Sequence, residues 1–332
     1  MCFRMPENER FISALAIPIE GYIAEKRAVG YKFAKGADML KRFDSFVHNR
    51  GLMEVILTRQ LVTEWTGRKP NETVSTQCGR ISLLRGLAEY MNRIGCSAYI
   101  YPRSMVTVDR YTYIPYIFSI DEIKRIFEVG DHYPPNNCTP IRHLVLPLLV
   151  RMLYGCGLRI SEATNLTRED VDLNKGTLYI RHTKFNKERI LPMAGSLTKR
   201  CQEYCKTVGF GKMDNPFFFP SPYGGHYSEG TIYCLFRQVL RQAKISHLGR
   251  GKGPRVHDFR HVFAVDCLKK WVLDGRDLNN CLPYLSAYLG HEDLRGSQRY
   301  LRLTADLYPD LTSKIEKYCS YIIPEVESYE TN

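Results

Sequence analysis

The chemistry of this chain is concentrated in one stretch, which reads RVHDFRHVFAVDCLKKWV over residues 255–272 and LSAYLGHEDLRGSQRYLR over residues 285–302. His257 and Arg260 are three residues apart, and on a helix that spacing places both side chains on one face. Leu289-Gly290-His291 is typical of a helix end followed by a histidine in a turn. Tyr300 follows nine residues later, within the next predicted helix. The stretch therefore predicts two histidines, an arginine and a tyrosine grouped around helix ends.

Length, composition and charge narrow the classes of protein. A chain of 332 residues with 44% hydrophobic residues favours about two soluble domains, each with its own core. The 47 Lys and Arg residues exceed the 35 Asp and Glu residues, which gives a net charge of +12. This excess favours a polyanionic partner, first nucleic acid and second an acidic membrane, although a merely basic protein has the same charge.

Cysteine usage and hydropathy indicate a cytoplasmic protein with no membrane partner. The 11 cysteines form no CxxC pair, which excludes a zinc ribbon and does not suit a disulfide framework. The N-terminal residues MCFRMPENER lack the pattern of a signal peptide. No run of residues approaches the roughly 18 apolar residues that a membrane span requires.

The first part of the chain, residues 1–100, is predicted to be a helical domain. Apolar residues at helical spacing predict helices over Phe11–Lys26, Ala37–Arg50, Thr58–Thr66 and Thr73–Gly95. No group of residues here is suited to catalysis, so the domain is either a DNA clamp or a helical bundle for protein contacts. Residues 101–117 contain tyrosines and prolines without helical periodicity, and we interpret them as a linker.

Residues 118–332 are predicted to form a second domain of mainly α structure with a small β-hairpin or sheet. It opens with a capping box, Ser119 to Glu122. The β signal is confined to two short strands, Thr177–Arg181 and Arg189–Pro192, on either side of a hairpin tip over residues 183–188. The predicted fold class is therefore mainly α with a small sheet (α+β).

The basic and tyrosine-containing motifs suit cleavage of a phosphodiester without a metal. Such a reaction needs a nucleophile, a proton donor for the leaving oxygen and donors for the charge on the non-bridging oxygens. Arginine suits the last task because its planar fork can bind two oxygens. Arg159 lies where a glycine turn meets a helix start, although its position alone favours an ordinary surface arginine.

Five motifs follow one another along the chain. They are Gly157-Leu-Arg-Ile-Ser-Glu162, Lys184 in Thr-Lys-Phe-Asn-Lys-Glu-Arg, His257-Asp-Phe-Arg-His261, Leu289-Gly-His291 and Tyr300. Together they resemble the motifs of the tyrosine recombinases, the phage-integrase family that includes the Xer and Cre recombinases. The resemblance covers about residues 118–310, whereas the N-terminal helices resemble the family's core-binding domain only loosely.

This resemblance implies a site-specific recombinase or integrase that breaks and rejoins DNA through a 3′-phosphotyrosyl intermediate, without cofactor or metal. Tyr300 is implied as the nucleophile and Lys184 as the donor of a proton to the leaving 5′ oxygen. The remaining implied residues are Arg159 and Arg260 on the scissile phosphate, His257 on the phosphate or the tyrosine proton, His291 as a second phosphate donor, and Glu162 in support.

Several residues have alternative interpretations. Tyr308 is a second candidate nucleophile, and Lys187 is a second candidate for the role of Lys184. His257 and His261, four residues apart, could bind a metal on one helical face, but the glutamate of an HExxH motif is absent. We interpret His261 as a structural histidine with satisfied hydrogen bonds. Phe185 occupies a hairpin position that is glycine in many relatives.

The implied partner is double-stranded DNA carrying a specific recombination site. Strand exchange requires two duplexes and four active sites, so the resemblance implies a tetramer on DNA. The predicted helix Leu311–Ile323 either docks on a neighbouring subunit or packs on its own domain. The alternative functions are DNA relaxation of the type IB topoisomerase kind and a catalytically silent DNA-binding accessory protein.

Overall fold

The chain divides into two compact units, Met1–Tyr113 and Ile114–Asn332. The computed structural model describes residues 11–103, 114–181, 188–212, 214–249, 253–291 and 295–307. Within these described ranges no helix combines the length and the apolar character needed to cross a membrane.

Unit 1 is mainly helical in its described part, with one isolated β-bridge between Leu57 and Ala98. Its helices are α1 (Ala16–Ala28), α2 (Ala34–Asn49), α3 (Arg59–Thr66) and α4 (Val74–Arg93). Thr58 and Thr73 cap α3 and α4, because each side-chain oxygen accepts a hydrogen bond from a backbone N–H in the first turn. Apolar residues from the inner faces of all these helices form one core.

The predicted start of α1 at Phe11 is wrong, since the helix begins at Ala16. Asp44 of α2 explains the difference. Its buried carboxylate accepts hydrogen bonds from the backbone N–H of Ile12 at 2.8 Å and from that of Ser13 at 3.1 Å. The Ser13 hydroxyl donates to the same carboxylate at 2.5 Å. Asp44 therefore holds the chain before α1 in a non-helical conformation.

Unit 2 contains the helices that surround the predicted active site. They are α5 (Ile120–Asp131), α6 (Arg142–Gly155), α7 (Ile160–Thr164), α8 (Gly195–Val208), α9 (Glu229–Gln242), α10 (Asp258–Leu273), α11 (Leu278–Leu289) and α12 (Arg295–Leu307). The capping box predicted at the start of α5 is confirmed, because Ser119 and Glu122 each accept from the other's backbone N–H. Helix α10 is central and packs against α6, α11 and α12.

The small sheet of unit 2 has three antiparallel strands in the order β1-β2-β3. They are β1 (Val171–Asp172), β2 (Thr177–Ile180) and β3 (Arg189–Pro192). The two predicted strands are confirmed, and their register pairs Ile180 with Arg189. The sequence did not predict β1, because two residues are too short to show an alternating pattern. The prediction of a mainly helical fold with a small sheet is confirmed.

Replacement of Asp44 by alanine tests the buried contact that sets the start of α1. We expect Asp44→Ala to lower the free energy of unfolding of unit 1 by about 1–3 kcal/mol, because the partners of a buried acceptor lose their hydrogen bonds. The chain has two tryptophans, Trp65 in unit 1 and Trp271 in unit 2. Urea unfolding followed by Trp65 fluorescence, in a Trp271→Phe background, measures the change.

The matched control is Asp38→Ala, since Asp38 lies on the same helix and is exposed. We expect this variant to change the free energy of unfolding by less than about 0.5 kcal/mol. Equal effects of the two substitutions would show that Asp44 acts only through the net charge of α2.

Candidate active site

The first site arginine follows a tight turn after α6. Gly157 in this turn has φ +57°, in the left-handed region that glycine adopts without strain. A Cβ atom at Gly157 would lie 2.6 Å from Cδ1 of Phe263 and 3.1 Å from Cδ2 of Leu289, so a larger residue has no room. The turn therefore packs closely against α10 and α11, and it places Arg159 at the N-terminus of α7.

Glu162 of α7 is the carboxylate on which the site arginines meet. It is buried and accepts hydrogen bonds from Nη1 of Arg159 at 2.7 Å and from the backbone N–H of Arg159 at 2.9 Å. Arg189 of β3 donates to it through Nη1 at 3.1 Å and Nη2 at 2.9 Å. Burial acts to raise the pKa of Glu162, but the hydrogen bonds and charges of Arg189 and Arg159 lower it. The carboxylate is therefore negatively charged.

The C-terminal end of α11 supplies three consecutive carbonyl oxygens to three different arginines. The pairs are Arg189 Nε with Tyr288 at 2.8 Å, Arg260 Nη2 with Leu289, and Arg159 Nη2 with Gly290 at 3.1 Å. The last carbonyls of a helix have no partner within the helix, and they carry the negative end of its dipole. This end of α11 is thus a binding site for the three guanidinium groups.

Arg260 is the most deeply buried arginine of the site, with 1% of its surface exposed. Besides its bond to α11, its Nη1 donates to the carbonyl of Gly157 at 2.8 Å and lies 3.9 Å from Glu162. Burial, followed by the positive charge of Arg159, lowers the pKa of Arg260 to about 10. The side chain therefore stays protonated at neutral pH and holds the turn after α6 against α11.

Tyr300 of α12 lies against this group of arginines and is 3% exposed. Its ring stacks on that of His291, with the ring centroids 5.9 Å apart. The ring of His261 also packs against it, with the centroids 5.5 Å apart. Nδ1 of His291 is 2.8 Å from the hydroxyl of Ser297, which fixes the ring. Burial raises the pKa of Tyr300, whereas the charge and hydrogen bond of Arg260 act to lower it. The phenol is therefore protonated at neutral pH.

The two histidines of the HDFRH motif lie edge to face, with ring centroids 5.0 Å apart. His257 is exposed and directly precedes α10, at its N-cap, so it lies at the helix end rather than inside the helix. Partial desolvation and the charge of Arg260 lower the pKa of His257 to about 4. Burial lowers the pKa of His261 to about 3. Both rings are therefore neutral at pH 7.

The interpretation of His261 as a histidine with satisfied hydrogen bonds is wrong for one of its ring nitrogens. Nδ1 of His261 is buried and has no hydrogen-bond partner among the residues that the structure describes. The ring is held between His257 and Tyr300 by packing.

The structure places six of the seven predicted site residues in this one region. They are Arg159, Glu162, His257, Arg260, His291 and Tyr300. Lys184 lies outside the described residues, as do its rival Lys187, its neighbour Phe185 and the alternative nucleophile Tyr308. Arg189 also belongs to this region, although the sequence predicted it only as the first residue of a strand. No local motif marks it, because its partners come from α7 and α11.

Both a family model and individual relatives place this chain among the integrases and recombinases. Residues 117–306 match the model of the phage integrase family. A putative integrase/recombinase, y4rB of Sinorhizobium fredii, is 30% identical over 311 residues, which cover 90% of this chain and 96% of that protein. Tyrosine recombinase XerC of Oceanobacillus iheyensis is 28% identical, with coverage of 85% of this chain and 88% of the relative.

Solved structures share the fold of this chain. The XerH site-specific recombinase bound to palindromic difH substrate has a TM-score of 0.58 at 18% identity, covering 90% of this chain and 78% of XerH. A lambda integrase dimer bound to a core site has a TM-score of 0.60 at 15% identity, covering 84% of this chain and 96% of the integrase. At these identities the likeness concerns the fold alone.

The lowered pKa of His261 predicts a loss of stability in acid. Its pKa in the folded protein, about 3, is below the ordinary value of 6.5, so the unfolded chain binds the extra proton between these values. The free energy of unfolding therefore falls as pH decreases from 6.5 towards 3, by up to about 1.4 kcal/mol per pH unit for one proton. Urea unfolding followed by Trp271 fluorescence, in a Trp65→Phe background, measures this slope.

The variant His261→Gln cannot bind this proton, so its slope against pH should be smaller than that of the wild type. Substitution of the exposed His132 by glutamine is the control, and it should leave the slope nearly unchanged. Parallel slopes for wild type and His261→Gln would show that His261 titrates normally.

Proposed function

Because the chain belongs to the phage integrase family, we propose that the residues gathered around Glu162 are the active site with which it breaks and rejoins DNA. The chain is a tyrosine recombinase and acts as a site-specific DNA recombinase or integrase. The observation that supports this site most is the placement of Tyr300 against Arg260, on the side of the arginine group that also holds His291.

The arginines are the groups suited to bind the scissile phosphate. Arg159 and Arg260 converge on one carboxylate and on adjacent carbonyls of α11, so their guanidinium planes are held close together. Two fixed guanidinium groups can donate to both non-bridging oxygens and stabilise the charge that develops on them. His291 follows the same helix end and supplies a further donor. Glu162 holds the arginines without contacting the DNA.

Cleavage proceeds by attack of the Tyr300 phenol oxygen on the phosphorus. The new tyrosine O–P bond forms as the bond from phosphorus to the 5′ oxygen breaks, which leaves a 3′-phosphotyrosyl linkage. His257 is neutral at pH 7, so its ring can accept the proton of the Tyr300 phenol or form a hydrogen bond with the phosphate. Lys184, outside the described residues, gives a proton to the leaving 5′ oxygen. A 5′ hydroxyl of the partner duplex then reverses the step, so no cofactor or metal is needed.

The buried position of Tyr300 requires a movement before this chemistry. At 3% exposure the phenol cannot meet a phosphate that binds from solvent. The stacked ring of His291 is one of the groups that cover it. We infer that DNA binding separates these rings and exposes the nucleophile, so that cleavage is limited to chains bound at a site.

The net charge of +12 supports DNA as the partner, with phosphate contacts that weaken as salt increases. We propose that the helical unit 1 acts as the core-binding domain and contributes DNA contacts, and that the protein works in the cytoplasm. Strand exchange between two duplexes needs four active sites, which favours a tetramer on DNA. The helix predicted over Leu311–Ile323 to link subunits lies outside the described residues.

The alternative functions lack comparable support. The relatives reported above are named as recombinases or integrases, and these names favour strand exchange over relaxation of supercoils. A silent accessory protein would have no use for the grouping of Arg159, Arg260 and Tyr300. We therefore propose recombination as the activity of this chain.

Replacement of the proposed nucleophile tests the function. The probe is a pool of nicked suicide duplexes with a randomised central region, in which cleavage traps the protein on DNA. We expect wild type to form adducts that survive denaturation, and sequencing of the captured DNA then defines the site. Tyr300→Phe should form no adduct, because phenylalanine has no oxygen to attack phosphorus.

The control is Tyr284→Phe, since Tyr284 lies on α11 and is 75% exposed. It should form adducts as wild type does. Adduct formation by Tyr300→Phe would show that another residue is the nucleophile. Failure of wild type to capture any duplex would contradict the recombinase activity itself.

A further inference from the structure

Arg189 joins the sheet to the arginine group, and nothing in the motifs assigned it a role. It is the first residue of β3, and its side chain is 11% exposed. Each nitrogen of its guanidinium group is bound within the protein: Nε donates to the carbonyl of Tyr288, and Nη1 and Nη2 donate to the two oxygens of Glu162. One planar side chain therefore connects β3, α7 and α11.

The neighbourhood of Arg189 has little freedom to rearrange. A Cβ atom at Gly290 would lie 2.9 Å from Nη1 of Arg189, so the guanidinium packs directly under the left-handed residue that ends α11. The same residue offers its carbonyl to Arg159. Glu162, the other anchor of Arg189, is the carboxylate bound by Arg159. Arg189 thus binds both Glu162 and the end of α11, the two groups that hold Arg159 and Arg260 in place.

We propose that Arg189 is a positioning residue of the recombination reaction. It fixes Glu162 and the C-terminal end of α11, and through them it holds Arg159 and Arg260 in the orientation that binds the scissile phosphate. This inference rests on the proposed function. Three of the five N–H groups of Arg189 donate to protein acceptors, one from each nitrogen, and the side chain is 11% exposed. We therefore assign it a role that acts through the other arginines.

Loss of Arg189 removes several constraints together. The carbonyl of Tyr288 loses its hydrogen bond from Arg189. Glu162 then keeps only its hydrogen bonds from Arg159 and its ion pair with Arg260, whose Nη1 lies 3.9 Å away. The carboxylate can then turn, and a misplacement of about 1 Å in the groups it holds lowers a rate by roughly 100-fold. Lysine does not replace arginine here, because a single nitrogen cannot span Tyr288 and both oxygens of Glu162.

The test exploits the charge of the phosphate. The duplex captured by wild type is prepared in two forms, with a normal phosphate or with a neutral methylphosphonate at the cleavage position. We expect Arg189→Met to form adducts roughly 10- to 100-fold more slowly than wild type on the phosphate. On the methylphosphonate, which has no charge for the arginines to stabilise, the variant should be within about 3-fold of wild type. Arg189→Lys should behave like Arg189→Met.

Arg151→Met is the matched control for removing a buried arginine. The Arg151 side chain is 10% exposed and pairs with Asp131 at 2.6 Å, so it resembles Arg189 in burial and in having a carboxylate partner. It should leave the ratio of the two rates at the wild-type value. A partly unfolded fraction lowers both rates equally, so a structural defect alone also leaves that ratio unchanged.

The outcomes separate this inference from the proposed function. If wild type forms adducts and Arg189→Met is as fast, or is slowed equally on both substrates, Arg189 is not a positioning residue. If wild type forms no adduct on any duplex, the proposed function is wrong and the inference falls with it. A selective loss on the charged phosphate, shared by Arg189→Lys and absent from Arg151→Met, supports the role.

Discussion

Three arginine side chains of unit 2 lie close together, and the packing of the surrounding elements depends on the groups that neutralise their charges. Arg159, Arg189 and Arg260 all bind the C-terminal end of α11, and Glu162 lies among them. Guanidinium groups repel each other strongly in a partly buried site. A charged carboxylate and the negative end of a helix dipole offset that repulsion. The site can therefore form only where the turn after α6, strand β3 and the ends of α10 and α11 meet.

In the proposed active site, this constraint also sets the arginines in place before an anion binds. Arg260 stays charged although it is almost fully buried, because its donors have carbonyl acceptors at Gly157 and Leu289. A phosphate that enters meets donors whose orientation is already set, so little reorganisation is needed when charge develops. The uncharged rings of His257 and His261 add no further repulsion. Tyr300, the proposed nucleophile, lies buried beside these arginines.

Local sequence predicted much of the fold, because caps, apolar spacing and glycine turns act over a few residues. The capping box at Ser119, the two strands of the hairpin and the helix end at Leu289-Gly290 are all confirmed. The errors arose where a distant residue overrode the local pattern. Asp44 moved the start of α1 by binding the backbone before it. His261 packs against Tyr300, and its Nδ1 has no partner among the described residues.

The sequence by itself determined which chemistry this chain can perform. The order and spacing of arginines, histidines and a tyrosine identify a family, since residue type and short-range spacing are written directly in the chain. Only the tertiary structure decided what holds those residues in place. Arg189 has no local signature, because its partners Glu162 and Tyr288 are distant in sequence and meet it only when the sheet packs against α7 and α11. Such contacts depend on how elements pack together, which no short window of sequence records.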